Sequence, residues 1–266
     1  MITQEKTIDY FQTESNGMVL RGMKHSSNLD AKKQGIVIIV HGYFSSNKIG
    51  PHRLYVQIAN VLAELGYDAY RFDLSGMGES DGLIEDATYE SHLKDLKEII
   101  LTLYKTSKQP IILVGHCMGA ELAIQATIDL PTIIKRSLLL APFFSNKRIM
   151  EKVFGIESLD RLSENGYTYR KGIFVSGSFF RSNTTDINFL SKLATTRDKL
   201  SCIIAEADEL VPFEDSKKIF SAANLQPIAI KGADHNFLET RQILLEKIIE
   251  VFKNTQNQQG IIEKIV

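Results

Sequence analysis

Short apolar runs alternate along the chain with longer segments that carry apolar residues at helical spacing. Continuous apolar runs are typical of strands covered on both faces of a parallel sheet. The segments 35–40 and 111–114 are such runs, and further strands are predicted at 67–74, 136–142, 200–205 and 227–230. The amphipathic segments predict helices at 52–66, 89–105, 213–224 and 238–253. Strands that alternate with helices predict an α/β fold, in which a mostly parallel sheet is flanked by helices.

The N-terminal part of the chain has a different pattern. Residues 11–13 and 18–23 alternate between apolar and polar side chains, and Ser15-Asn16-Gly17 separates them. An Asn-Gly pair between alternating segments is a strong signal for a tight turn between antiparallel strands. The sequence therefore predicts a β-hairpin ahead of the first buried strand.

The interval 143–192 breaks the alternation of strands and helices. Its length of about fifty residues exceeds what a crossover between strands needs. It contains a helix predicted at 147–154 and a turn-rich aromatic segment at 167–175. We expect a cap, inserted after the sixth strand above the carboxyl ends of the strands. The predicted division is a core at 1–142 and 193–254, a cap at 143–192, and a polar tail at 255–266 that frays or docks loosely on the surface.

Composition narrows the range of partners. The 266 residues carry a net charge of −1 with mixed signs throughout, which does not favour nucleic acid or an anionic membrane as a partner. The longest apolar runs have the length of strands and are too short to span a bilayer. Residues 1–6 are polar and show no signal peptide, and two cysteines do not make a disulfide framework. These features favour a cytoplasmic location.

The segment Gly115-His116-Cys117-Met118-Gly119 is the most informative motif. It follows the apolar run 111–114 and leads into a helix-forming run that begins at Ala120. This is the strand–turn–helix context of a nucleophile elbow, in which one reactive side chain sits at the tip of a strained turn. Small residues are needed two positions to either side of the tip, and the two glycines meet that need.

Three further motifs each follow the end of a predicted strand. His41-Gly42-Tyr43-Phe44 follows the first buried strand, Asp208 follows the strand at 200–205, and His235 follows the last strand. A base must take the proton of Cys117, and a carboxylate must orient that base. His235 and Asp208 are the candidates for these roles. The backbone N–H groups of Tyr43 and Met118 are candidates for the oxyanion hole.

With these four ordered motifs, the chain resembles the α/β-hydrolase superfamily over nearly its whole length. The loop 71–80 and the spacing from Asp208 to Val211-Pro212 are similar to the serine aminopeptidase and monoglyceride-lipase-like branch. The segments Gly166-Tyr167 and 174–176 are similar to small cinnamoyl and feruloyl esterases. The resemblance implies the α/β-hydrolase fold, with Cys117 as nucleophile, His235 as base and Asp208 as its orienting acid.

Cys117 stands where this superfamily usually has serine. Cysteine also occurs there in dienelactone hydrolases, polyhydroxyalkanoate synthases and bile-acid acyltransferases. A cysteine nucleophile forms a thioester intermediate, which amines, thiols and alcohols can intercept as well as water. The first hypothesis is therefore an acyl hydrolase, either esterase or thioesterase. The alternatives are an acyltransferase and a non-catalytic, ligand-binding pseudo-hydrolase.

Several residues have two interpretations. Glu206 and Glu209 lie beside Asp208 and are alternatives for the orienting acid. His116 is either structural or substrate-facing, and it joins three aromatic candidates for substrate binding. The other free cysteine, Cys202, is expected to be an inert residue inside a strand. The three aromatic candidates are Phe44, Tyr169 and Phe174.

The sequence predicts neither a metal nor a cofactor. No group of His, Cys and carboxylate residues has the spacing of metal ligands. The loop around Gly76 and Gly78 lacks the lysine of a phosphate-binding loop, so a structural turn is predicted. The expected partner is a small-molecule or carrier-bound acyl substrate, whose specificity would lie in the cap.

Overall fold

A mixed eight-stranded sheet forms the centre of the protein. The computed structural model describes residues 7–26, 34–43, 47–144, 162, 166–170, 173–177 and 193–262. The strands are β1 (Ile8–Ser15), β2 (Met18–His25), β3 (Gly35–Val40), β4 (Tyr67–Phe72), β5 (Ile111–His116), β6 (Ile134–Leu140), β7 (Tyr167–Arg170), β8 (Ile173–Ser176), β9 (Leu200–Ala205) and β10 (Ile228–Ile230). The α-helices with both ends in the described residues are α1 (Leu54–Glu64), α2 (Tyr89–Ser107), α3 (Met118–Asp129), α4 (Phe213–Ala222) and α5 (Arg241–Ile262).

The strands of the main sheet follow the order β1-β2-β4-β3-β5-β6-β9-β10. Strand β2 runs antiparallel to β1 and β4, and the pairs from β4 to β10 are parallel. Every residue of β3, β4 and β5 is buried, as expected for strands covered on both faces, and in β4 this includes the charged residues Asp68 and Arg71. The mostly parallel α/β architecture predicted from the sequence is therefore confirmed.

Two hydrophobic layers cover the sheet. Along β3, Ile36, Ile38 and Val40 face one layer, while Val37 and Ile39 face the other. Helices α2, α3 and α4 pack on the first face, and α1 and α5 pack on the second. Helices packed on both faces of the sheet hold the carboxyl ends of its strands in place, and the polar motifs identified in the sequence follow those ends.

The N-terminal hairpin matches its prediction. Ser15 pairs with Met18 across β1 and β2, so Asn16 and Gly17 form a two-residue loop. Both loop residues have positive φ, at 52° and 75°. Asn and Gly tolerate that conformation, which a tight hairpin turn requires.

Some boundaries differ from the predicted ones. Helix α5 continues to Ile262, so residues 255–262, expected to be a frayed tail, have a helical backbone. Glutamine favours helix, and each added residue of an established helix gains a backbone hydrogen bond.

Within the described residues, no helix is both long and apolar enough to cross a membrane.

Part of the interval 143–192 forms a separate two-stranded sheet. Strands β7 and β8 pair antiparallel, with Tyr169 opposite Phe174. Ser176 connects this hairpin to the body of the protein, because its Oγ donates a hydrogen bond to the carbonyl of Glu85 (3.1 Å). The helix predicted at 147–154 lies outside the described residues.

Candidate active site

Cys117 occupies the sharp turn between β5 and α3. Its φ of 56° and ψ of −125° are a strained combination for a residue with a side chain. A Cβ at Gly115 would overlap the carbonyl oxygen of Gly119, and a Cβ at Gly119 would overlap that of Val40. The turn therefore needs glycine on both sides of the cysteine.

Hydrogen bonds attach this turn to the neighbouring strand. The amide of Cys117 donates to the carbonyl of Leu140 at the end of β6 (3.0 Å), and its own carbonyl accepts from Ala120 (3.1 Å) and Phe143 (3.1 Å). Cys117 is only 4% exposed. Its side chain is thus held at the start of α3, where the first backbone N–H groups have no partners within the helix.

The loop that follows β3 lies against Cys117. A Cβ built on Gly42 would be 2.9 Å from the Cβ of Cys117 and 3.4 Å from its Sγ. His41 shapes this loop: Nδ1 donates to the carbonyl of Gly42 (2.6 Å), and Nε2 accepts from the amide of Leu74 (3.0 Å). Burial lowers the pKa of His41, which favours the neutral ring that this pattern requires. The residue that precedes Tyr43 therefore lies against Cys117.

His235 and Asp208 form a buried pair. Nδ1 of His235 lies 2.8 Å from Oδ2 of Asp208, and both side chains are 3% exposed. The other carboxylate oxygen of Asp208 accepts from the amides of Leu210 (2.9 Å) and Val211 (2.8 Å). Two amides and one imidazole therefore fix the orientation of this carboxylate.

The neighbouring glutamates have different contacts. Glu209 accepts a hydrogen bond from the backbone amide of His235 (3.1 Å), and Glu206 accepts one from the amide of Gly232 (3.2 Å). Both support the backbone of the loop that carries His235. Of the three carboxylates considered from the sequence, Asp208 is the one paired with the imidazole ring.

The pKa of His235 depends on the neighbouring Cys117. Burial lowers the pKa of His235, but the neighbouring Cys117 and the Asp208 carboxylate outweigh burial and raise that pKa well above its ordinary value. Its Nε2 is buried and makes no aligned hydrogen bond to a described residue. This nitrogen is the atom that would exchange a proton with the thiol and a bound substrate.

His116 directly precedes the turn at Cys117, is buried, and uses both ring nitrogens within the protein. Nδ1 lies 2.9 Å from the hydroxyl of Tyr55, and Nε2 lies 3.0 Å from the backbone carbonyl of His235. Burial, followed by the charge of His235, lowers the pKa of His116 to about 3. These contacts favour the structural interpretation of His116 over direct contact with substrate.

The structure brings Cys117, Asp208 and His235 together at the carboxyl ends of their strands. Met118 directly follows Cys117, and Tyr43 directly follows Gly42, which lies against Cys117. The proposed substrate-binding residues are placed differently. Phe44 lies outside the described residues. Tyr169 and Phe174 lie on the hairpin of β7 and β8, where their ring centroids are 5.6 Å apart and Tyr169 is 63% exposed. The hydroxyl of Tyr43 accepts a hydrogen bond from the amide of Ser176 (3.4 Å), which connects this hairpin to the loop after β3.

Sequence reasoning missed Tyr55. This buried residue lies on α1, in a segment for which the sequence predicted only an amphipathic helix. A buried tyrosine hydroxyl needs a hydrogen-bond partner, which was the available signal. The partner belongs to a distant segment and could not be identified from the pattern. Among the described residues, no three His, Cys, Asp or Glu side chains are grouped to hold a metal ion.

A family model described as serine aminopeptidase, S33, matches residues 31–200. The match covers more than half of the chain, from the strand before His41 to the start of β9. It includes the sharp turn at Cys117. Asp208 and His235 follow the matched region.

Curated relatives match different parts of the chain. The bovine mitochondrial palmitoyl-protein thioesterase ABHD10 is 38% identical over 103 residues, which are 39% of this chain and 31% of that protein. The zebrafish lysophosphatidylserine lipase ABHD12 is 28% identical over 235 residues, covering 83% of this chain and 55% of that protein. The rat monoglyceride lipase is 29% identical over 104 residues, or 37% and 34% of the two chains. The chain thus spans only about a third to a half of these relatives.

Solved structures share the fold. Est1E from Butyrivibrio proteoclasticus, with ferulic acid bound, has a TM-score of 0.74 at 21% identity, covering 92% of this chain and 98% of that one. Mouse alpha/beta hydrolase domain-containing protein 10 has a TM-score of 0.68 at 18% identity, covering 94% and 99%. Both likenesses show the α/β-hydrolase fold.

Proposed function

Because the chain belongs to the serine aminopeptidase S33 family of α/β-hydrolases, we propose that it is an acyl hydrolase that cleaves an ester or thioester through an acyl-cysteine intermediate. One observation carries this proposal. The 2.8 Å pair of Asp208 and His235 raises the proton affinity of a buried imidazole, and Cys117, held in a strained turn, contributes to the same effect. Nucleophile, base and orienting acid thus act on one another as a catalytic unit.

The first half of the reaction transfers the acyl group to Cys117. His235 takes the thiol proton at Nε2, and sulfur forms a bond to the acyl carbon. The carbonyl oxygen becomes an oxyanion, which accepts hydrogen bonds from the N–H groups of Tyr43 and Met118. When the tetrahedral intermediate collapses, the bond to the leaving group breaks, and the leaving group takes the proton from His235.

The second half releases the acid. His235 takes a proton from water, and the resulting hydroxide attacks the thioester carbon. The carbon–sulfur bond breaks, the acid departs, and the sulfur regains the proton from His235. Asp208 keeps Nδ1 protonated throughout and stabilises the imidazolium that forms twice in the cycle.

The substrate would be recognised by the cap, which we propose to span 143–192. The aromatic side chains of Tyr169 and Phe174 are candidates to bind an acyl or aryl group. The relatives include a thioesterase and two lipases by name. These names support a small-molecule or carrier-bound acyl ester or thioester as the substrate class.

The test is intact-protein mass spectrometry with a panel of aryl esters and acyl thioesters. Wild type should gain the mass of one acyl group and lose it over time in water, while Cys117→Ala should gain none. Cys202→Ala is the matched control, because Cys202 is the other buried free cysteine, and it should behave as wild type. An adduct on Cys117→Ala, or neither adduct nor turnover on wild type with any panel member, would contradict the proposal.

The same experiment separates hydrolysis from acyl transfer. The thioester at Cys117 is an intermediate that amines and thiols can intercept, so each adduct is also followed with an added amine, thiol or alcohol. A hydrolase forms mainly the free acid under all these conditions. Conversion of the acyl group mainly to the acceptor's amide, thioester or ester would identify the protein as an acyltransferase.

A further inference from the structure

A buried chain of hydrogen bonds runs behind the candidate active site from one catalytic loop to another. The amide of Gly42 donates to the hydroxyl oxygen of Tyr55 (3.2 Å), and that hydroxyl lies 2.9 Å from Nδ1 of His116. On the far side of the ring, Nε2 of His116 lies 3.0 Å from the backbone carbonyl of His235. Tyr55 is 1% exposed and His116 is 2% exposed.

The positions of the protons in this chain follow from the chemistry of its members. The carbonyl of His235 can only accept, so Nε2 of His116 carries a proton and donates it. Burial keeps His116 neutral, so its Nδ1 is an acceptor. The hydroxyl of Tyr55 must then donate to Nδ1, and its oxygen accepts from the amide of Gly42. Each bond thus has one defined direction.

The two ends of this chain belong to loops with different roles. Gly42 precedes Tyr43, whose N–H is assigned to the oxyanion hole, and His235 is the assigned base. The two loops lie in distant parts of the sequence, after β3 and after β10. Hydrogen bonds through two rigid aromatic rings fix the separation of the loops, and catalytic groups need placement within about 0.5 Å.

We propose that Tyr55 and His116 are positioning residues that set the oxyanion loop at the right distance from His235. This inference rests on the function proposed above and assigns a role to two residues that do not touch substrate. Loss of the Tyr55 hydroxyl would leave the amide of Gly42 and Nδ1 of His116 buried without their partners. The loop would then relax, and Tyr43 would move away from the oxyanion.

The test compares two reactions at Cys117 in Tyr55→Phe, which keeps the ring and removes the hydroxyl. Acylation by an aryl ester requires the oxyanion hole, whereas alkylation by iodoacetamide requires the thiolate and access but no oxyanion. We expect acylation to slow by at least about 10-fold, because small misplacements of catalytic groups are costly. Alkylation should stay within about twofold of wild type, since it does not use the displaced group.

Two further variants keep the test decisive if Tyr55→Phe folds poorly. His116→Gln retains one acceptor and one donor, whereas His116→Leu has neither, so acylation should be faster in the glutamine variant. Tyr67→Phe is the matched control: Tyr67 is another buried tyrosine of the same core layer, at the opposite end of the sheet. It should acylate as wild type does.

Two results would overturn the inference. One is wild-type acylation in Tyr55→Phe, and the other is an equal loss of acylation and alkylation, which would indicate a packing role alone. Equal acylation in His116→Gln and His116→Leu would also count against it. Failure of wild type itself to acylate would contradict the proposed function instead, so the two failures are distinguishable.

Discussion

Gly42 and Cys117 are in direct contact across the candidate active site: a Cβ on Gly42 would lie 2.9 Å from the Cβ of Cys117. The loop that supplies the Tyr43 amide is therefore positioned by the absence of a side chain at residue 42. The backbone of this loop can lie beside the sulfur only because the residue is glycine.

The first prediction concerns Gly42→Ala. The added methyl group should push the loop away from Cys117 and slow acylation by on the order of 10²-fold, since a 1 Å displacement has that effect. The overpacking should cost about 1–3 kcal/mol of unfolding free energy. Single-turnover acylation and urea denaturation measure the two effects.

The control for this substitution is Gly17→Ala. Gly17 has a φ of 75° and open space around its Cα. Its substitution should lower the unfolding free energy by roughly 1–2 kcal/mol through backbone strain, with acylation unchanged. A Gly42→Ala protein with the acylation rate of wild type would show that this contact does not position the oxyanion loop.

The second prediction separates the acidic residues near His235. Asp208→Asn should lower kcat by on the order of 10²–10⁴-fold, because the amide can hold the imidazole in the wrong tautomer. Glu209→Gln retains an oxygen that accepts from the His235 amide, so its kcat should stay within about threefold of wild type. Steady-state kinetics of both variants test the assignment. A larger loss in Glu209→Gln than in Asp208→Asn would reverse it.

The third prediction concerns the protonation of His235. The charge of Cys117 contributes most to raising the pKa of His235 against the effect of burial. Cys117→Ala should therefore shift the NMR titration midpoint of the His235 imidazole to lower pH. Cys202→Ala should leave the midpoint unchanged. An unshifted midpoint in Cys117→Ala would show that the two side chains are not electrostatically coupled.

The raised pKa of His235 also has a consequence for stability. The folded protein holds this proton more tightly than the unfolded chain does. The stabilisation of the fold by this proton on His235 is therefore complete below the pKa of about 6.5 that the imidazole has in the unfolded chain. It is lost as pH rises through the higher pKa of His235 in the folded protein. The unfolding free energy of wild type relative to His235→Gln should decline above neutral pH. An increase over that range would contradict the account.

The fourth prediction is acid sensitivity caused by His116. Its pKa of about 3 in the folded protein means that the unfolded chain binds a proton first as pH falls below its own pKa. The unfolding free energy should fall by up to about 1.4 kcal/mol per pH unit from this group. Denaturation at pH 6.5 and pH 4.5 should show a smaller loss in His116→Gln than in wild type.

The control for acid sensitivity is His52→Gln. The side chain of His52 is exposed to solvent, so this variant keeps the buried ring of His116 and should keep the acid sensitivity that depends on that ring. A His116→Gln protein that loses as much stability on acidification as wild type would contradict the assigned role of this buried ring.

The sequence predicted the sheet well because its signals were local. The strand at 35–40 is a continuous apolar run, and the hairpin turn is the pair Asn16-Gly17. The placement of Cys117 and Asp208 followed from the same logic, since the carboxyl ends of parallel strands meet at one edge of a sheet.

The features that the sequence did not predict depend on long-range contacts. The bond between Tyr55 and His116 joins residues 61 positions apart, and nothing in the helical pattern of α1 selects that partner. The support that Glu209 gives to the His235 backbone is similarly distant. The extension of α5 to Ile262 has a different cause: the polar composition after residue 253 predicts the end of a helix, whereas the helical backbone continues through it.

The measurement that tests the central claim most directly is the location of the acyl group. Wild type is quenched with acid during turnover of an activated acyl ester, digested, and mapped by peptide mass spectrometry. The account predicts one acyl group on the peptide that contains Cys117 and none on the peptide that contains Cys202. Turnover of the ester by Cys117→Ala at the wild-type rate, or an acyl group on another residue, would contradict it.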